Sequence, residues 1–120
     1  MDTNAISWIF AVTIGKGNVD DLKALIKEMA EQAEASEPGT LRYQWMISDD
    51  GLSGQVQEEY RDSEAALTHL ASFNENYADR LMTLVEPGGM VVFGNPGAKL
   101  RQELAGADPV YMHAAGGFER

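Results

Sequence analysis

The sequence predicts an α+β fold of the split βαβ, ferredoxin-like type, followed by a short extra helix and a fifth strand. Three observations lead there. Apolar residues recur at period two in the first, third and fourth segments and at helical spacing in the second and fifth, giving the order β-α-β-β-α-β. The 120 residues suit one domain, 1–120, with a core over about 6–95 and an extension over 96–120. Both faces of the first strand are largely apolar, so each face needs a cover.

The elements follow in order. In Ile6 to Gly15, residues Ile6, Trp8, Phe10, Val12 and Ile14 share one face, and Ser7, Ile9, Ala11 and Thr13 share the other. Gly15-Lys16-Gly17 stops the strand, and Asn18 is positioned as a helix N-cap ahead of Asp20 and Asp21, acids that favour a helix N-terminus. Val19, Leu22, Leu25, Ile26, Met29, Ala30 and Ala33 form one helical stripe, and Pro38-Gly39 ends it. Thr40 to Ser48 is a second strand with Leu41, Tyr43, Trp45 and Ile47 on one face. Asp49-Asp50-Gly51 then turns the chain into a third strand, Gly54 to Arg61, where Val56, Glu58 and Tyr60 alternate with Gln55, Gln57 and Glu59.

Asp62 or Ser63 caps the next helix, whose core residues are expected at Leu67, Leu70 and Ala71, then Tyr77, Leu81, Leu84 and Val85, with a break at Asn74-Glu75-Asn76. Pro87-Gly88-Gly89 is expected to close it, and Met90 to Gly94 to be a short strand. Leu100 and Leu104, four apart, mark a small helix, and Pro109 to Ala115 reads as a weak last strand that reaches toward a partner chain.

Composition narrows the function classes. Hydrophobic residues at 44% and charged residues at 23% are ordinary for a globular domain. Nine Lys+Arg against nineteen Asp+Glu give a net charge of -10, a surface that repels nucleic-acid phosphates and anionic lipid. The absence of cysteine removes disulfides, thiolate metal sites and thiol nucleophiles. The longest apolar run, Trp8 to Val12, is far short of the ~20 residues of a membrane span. The polar opening Met1 to Asn4 lacks the basic stretch of a secretory leader, so a cytoplasmic protein is expected. Two substantial helices cover only one face of the sheet, so a second copy packed sheet to sheet is expected over the other, making a homodimer.

Two stretches carry a family resemblance. Glu37-Pro38-Gly39-Thr40-Leu41-Arg42-Tyr43, and Glu58-Glu59-Tyr60-Arg61-Asp62-Ser63-Glu64-Ala65-Ala66-Leu67 with His69, resemble the antibiotic biosynthesis monooxygenase (ABM) domain family over roughly residues 6 to 95. Phe93-Gly94, Leu100-Arg101 and Gly117-Phe118 look like an extension found in one branch of it. The resemblance implies a dimeric α+β barrel. It also implies, for some members, oxidation of phenolic or quinol-type aromatics by dioxygen with no metal or flavin cofactor. Haem-degrading relatives carry an asparagine on the first strand where this chain has Phe10, which argues against that chemistry here.

His69, which matches a histidine recurring in the family, is the candidate catalytic residue: a neutral imidazole near pH 7 can take a phenolic proton. Its helical angle puts it on the shoulder of the apolar arc, where it either lines a cleft edge or faces water. Trp8, Phe10, Tyr43, Trp45, Tyr60, Phe73 and Tyr77 point between sheet and helices, as core filling or as the wall of a pocket for a flat aromatic ligand. Glu58 on the same face is either a base of raised pKa or a hydrogen-bond partner for a neighbouring tyrosine or arginine. Arg42 falls on the opposite face, and Arg80 faces either an acidic substrate or water. His113 has no companion at metal-ligand spacing, and neither a phosphate loop nor a nucleophile elbow is present.

The reading that results is a cofactor-independent monooxygenase acting on a small aromatic. A non-catalytic ligand-binding or regulatory module and an isomerase or cyclase of the same fold are the alternatives.

Overall fold

The computed structural model describes residues 4–120, so most of the polar opening Met1 to Asn4 lies outside it. The elements run β1 (Ile6–Ile14), α1 (Val19–Ser36), β2 (Thr40–Ile47), β3 (Ser53–Tyr60), α2 (Ser63–Asn76), α3 (Ala78–Met82), β4 (Val85–Phe93), α4 (Ala98–Leu104), a 3-10 turn (Ala105–Ala107) and β5 (Val110–Met112). The sheet order is β2-β3-β1-β4-β5. β1 lies at the centre, antiparallel to β3 and β4, and this is the ferredoxin-like arrangement expected from the element order.

The helices bury one face of the sheet in two adjoining clusters. Ile6, Trp8, Tyr60, Val92 and the small Ala65 and Ala66 of α2 form one, closed by Leu100 and Leu104 of α4. Val12, Ile14 and Val85 meet Leu22, Leu25 and Met29 of α1 in the other, and Phe10 packs against both. Burial of each such leucine contributes about 1.5–3 kcal/mol relative to exposure. No helix among the described residues is long and apolar enough to cross a membrane.

Several local expectations change. Asn18 stands at the start of α1 but does not cap it; its side-chain amide donates to Leu84 O at 3.2 Å, tying the helix start to the strand beyond α3. Asp62 does cap α2, accepting from Ala65 N–H at 2.8 Å. The buried face of α2 is Ala65, Ala66 and His69, whereas Leu67 and Leu70 are half-buried and Ala71 is exposed. The stripe is turned because small residues let the helix approach β3, and sheet-side carboxylates accept the imidazole. The helix breaks at Tyr77, just beyond Asn74-Glu75-Asn76.

Pro87-Gly88-Gly89 does not terminate a helix. It lies inside β4, where Phe10 pairs with Met90 but Val12 pairs with Pro87, so Gly88 and Gly89 oppose Ala11 alone. This is a β-bulge, one of the few places a sheet accepts proline. A similar shift in β2 puts Leu41 out of the ladder, 56% exposed, rather than on the face of Tyr43. The last strand pairs parallel with β4 of its own chain instead of reaching outward.

The other face of the sheet carries no helix. Register places Ile9, Val91 and Val110 in one row and Phe93 with Met112 in the next, and Met46 extends the apolar surface toward β2. Val110, Met112 and Met46 are each about half exposed.

The bulge makes a prediction. A Cβ at Gly88 would lie 2.9 Å from Ala11 O, a backbone atom that has little freedom to yield. Gly88→Val should destabilise the fold by about 1–3 kcal/mol, the usual range for forced overpacking, in urea unfolding followed by tryptophan fluorescence.

Candidate functional site

The sheet register brings the site together. Trp8 of β1 and Tyr43 of β2 both pair with Glu58 of β3, forming a row across three strands beneath α2. Tyr60, two residues along β3 on the same face, adds a second phenol. His69 descends from the buried face of α2 onto this row.

His69 is held from both sides. Its Nδ1 is 2.7 Å from Glu37 Oε1, and its Nε2 is 3.0 Å from Glu58 Oε1. All three side chains are more than nine-tenths buried. Glu58 also accepts from the Tyr60 hydroxyl at Oε1 and from Trp8 Nε1 at Oε2. Those three donors leave one of a carboxylate's roughly four acceptor positions open. Glu37 Oε1 accepts from Thr40 Oγ1 at 2.9 Å, while its Oε2 is buried and takes no hydrogen bond from the described residues.

Glu37 reaches the histidine because of a local feature. It is the C-cap of α1, and the chain turns at Pro38-Gly39 immediately afterwards. A Cβ at Gly39 would lie 2.6 Å from Ala65 Cβ, so only glycine lets this turn press against α2. Ala65 lies one helical turn before His69, and the contact thereby sets Glu37 beside the imidazole.

The electrostatics follow. Burial pulls the His69 pKa down, but the hydrogen bond and charge of Glu58, and then those of Glu37, outweigh it, and the net shift is upward from 6.5. The surroundings of His69 thus favour its protonated form, and the ring is buried and bonded through both nitrogens rather than free at the edge of the apolar arc. Desolvation, reinforced by the Glu58 charge, raises the Tyr43 and Tyr60 pKa values well above 10, so both phenols keep their protons.

A cavity of about 180 Å³ opens beside this cluster. Of the sequence candidates, Trp8, Phe10, Tyr43, Trp45, Glu58, His69 and Phe73 border it. Tyr60 does not: it is fully buried, packed 4.8 Å from the Trp8 ring and 5.4 Å from the His69 ring, as a support for Glu58. Tyr77 does not border it either, and faces a narrow crevice with Met29 and Gln32. Tyr43 accepts from Trp45 Nε1 at 3.0 Å, a bond that fixes two of the wall rings relative to each other. Arg80 is outside, paired with Glu28 at 2.9 and 3.0 Å on the surface, and Arg42 is exposed on the other face of β2.

Sequence reasoning missed two contributions. Glu37 was visible only as a motif letter, because its role depends on a turn-to-helix contact distant in sequence. The far wall, with Asn74, Met82, Glu103, Leu104 and Ala107, comes from the α2–α3 break and the extension, whose tertiary position no periodicity encodes.

Comparison with known proteins places these observations. The profile of the antibiotic biosynthesis monooxygenase family matches residues 5–89. The crystal structure of MupZ from Pseudomonas fluorescens is similar at 24% identity with a TM-score of 0.86, covering 98% of this chain and 95% of that one. Rv0793 from Mycobacterium tuberculosis is similar at 23% identity and a TM-score of 0.66, over 78% of this chain and 96% of that one. SnoaB from Streptomyces nogalater, described as a cofactor-independent oxygenase, is similar at 16% identity and a TM-score of 0.65, over 79% and 96% respectively. At such identities the likeness is one of fold. No curated protein sequence matches at a significant level.

Two outcomes test the cluster. His69→Ala leaves two buried carboxylates without the hydrogen-bond donor between them, and should destabilise by about 3–5 kcal/mol in urea unfolding. Gly39→Ala should push the turn off α2 and loosen Glu37 from the imidazole. The upward shift of the His69 pKa should then shrink in a histidine NMR titration.

Proposed function

The chain belongs to the antibiotic biosynthesis monooxygenase family, and from that premise we propose that it is a cofactor-independent monooxygenase acting on a phenolic or quinol-type aromatic. The observation that carries the reading is a buried acid–base cluster, Glu58 with His69, set in the wall of a cavity that is otherwise mainly aromatic and aliphatic. Trp8, Phe10, Trp45 and Phe73 would hold a flat ring. Glu58, with one acceptor position open, would take the hydroxyl proton, and the adjacent imidazolium would stabilise the phenolate that forms. The electron-rich phenolate then reduces dioxygen. One oxygen atom enters the ring as a carbonyl, and the other leaves as water with the two hydrogens lost from the ring carbon and the hydroxyl. His69 is thus a charge stabiliser and proton partner of Glu58 rather than the first base.

The same cluster supports a second reading. Both nitrogens of His69 are bonded to carboxylates, a proton-transfer unit that works without dioxygen in an isomerase or cyclase. The two readings separate under anaerobic conditions, where only the second forms product.

The uncovered sheet face supports a homodimer packed sheet to sheet. Its apolar rows, Ile9 with Val91 and Val110, and Phe93 with Met112, are the kind of surface a second copy covers. Sedimentation should return twice the 13.1 kDa chain mass, and Val91→Glu should shift the population toward the single chain. A persistent 13.1 kDa particle at micromolar concentration would remove the dimer.

Oxygen uptake on a panel of hydroquinones tests the chemistry. Glu58→Gln should lower turnover by about 100-fold, the lower range for loss of a general base, while leaving ligand affinity within a few-fold. Absence of uptake on every substrate, together with turnover under nitrogen, would favour the second reading.

A further inference from the structure

The cavity has two ends of different chemistry. At its base are Glu58 and His69. At its mouth are Asn74 from the end of α2, Met82 from α3, and Glu103 and Ala107 from α4 and the turn that follows. Asn74, Glu103 and Ala107 are exposed, and the side chains of Asn74 and Glu103 make no hydrogen bond or ion pair with the described residues. The family profile ends at residue 89, so Glu103 and Ala107 belong to a part of the chain beyond the common domain. That part is nonetheless anchored: Leu100 and Leu104 of α4 are buried in the core against α2, and the Arg101 guanidinium lies 4.1 Å over the Tyr111 ring, linking α4 to β5.

The charge around the cavity is one-sided. Among the described residues no lysine or arginine borders it, while Glu58 and Glu103 do, and the His69 ring at the base is shared between two carboxylates. A ligand bearing its own carboxylate or phosphate would meet negative charge at both ends. A ligand with a hydrogen-bond donor or a cation at its far end would find the unpartnered Glu103 and Asn74.

We propose that the extension selects the substrate, with Glu103 and Ala107 forming the outer half of the binding site and favouring an aromatic whose distal end carries an amine or another hydrogen-bond donor over one that carries an acid. Glu103 acts on affinity and stands apart from the proton chemistry at Glu58. The inference rests on the cavity being the ligand site, as in the function proposed above.

Three probes of one shape test it by calorimetric titration at pH 7: 2-naphthol, its 6-aminomethyl derivative and its 6-carboxylic acid. Wild-type protein should bind the amine about tenfold more tightly than the acid, the sum of one modest rim attraction and one repulsion. Glu103→Gln should compress that ratio to about threefold or less, chiefly by weakening the amine. High salt should compress it in the same way in the wild type. Ala107→Trp, at an exposed position, should weaken all three probes by narrowing the mouth. A preference for the amine that stays near tenfold in Glu103→Gln, or an acid that binds wild-type protein as tightly as the amine, overturns the proposal while leaving the cavity as the ligand site. Failure of all three probes to bind the wild type overturns the cavity itself, and the proposal with it.

Discussion

A single buried histidine held between two carboxylates organises this molecule. Taking three ionisable groups out of water is costly, and the cost falls as geometry improves and remaining polar atoms are bonded, a condition Glu37 meets only at Oε1, its buried Oε2 taking no hydrogen bond from the described residues. Glu58 meets that condition with donors from Trp8, Tyr60 and His69. The requirement reaches outward from there. The β1–β3 register must set Trp8 opposite Glu58, α2 must show the sheet small residues one turn before His69, and the turn after α1 must lie close enough to deliver Glu37. Each is a constraint on packing imposed by the same few atoms.

The cluster also gives the fold a pH signature. A histidine whose pKa is raised on folding contributes stabilisation that is complete below the unfolded value of about 6.5 and fades as the pH climbs through the raised folded value. The two buried tyrosines behave in the same sense at much higher pH, since their raised values favour the protonated, folded form. The contribution of His69 is therefore lost toward alkaline pH.

Much of the architecture was legible in the residues. Strand alternation in Ile6 to Ile14, the stripe of α1 and the Leu100–Leu104 spacing each report a local period, and local periods survive folding. What was not legible depends on contacts across the chain. The burial of Ala65, Ala66 and His69, in place of Leu67, Leu70 and Ala71, reflects close approach to β3 and α4, and overrides the preference for large apolar side chains inside. Pro87-Gly88-Gly89 carries a turn signature, yet here it forms a bulge, because both bulges and turns select the same residues. In the site, the aromatic wall followed from alternation on β1 and β2. Glu37 and the far rim did not, since each is placed by an element remote in sequence.

The extension beyond residue 95 has a consequence for how such a domain diversifies. Its helix α4 is seated in the core by Leu100 and Leu104, yet its outward residues border the cavity entrance. Glu58 and His69, the pair proposed to move protons, sit on β3 and α2 instead. On the proposed function, an appended segment can be rewritten residue by residue to admit new molecules while the reactive centre keeps its sequence, so that recognition and reactivity would evolve along separate stretches of one short polypeptide.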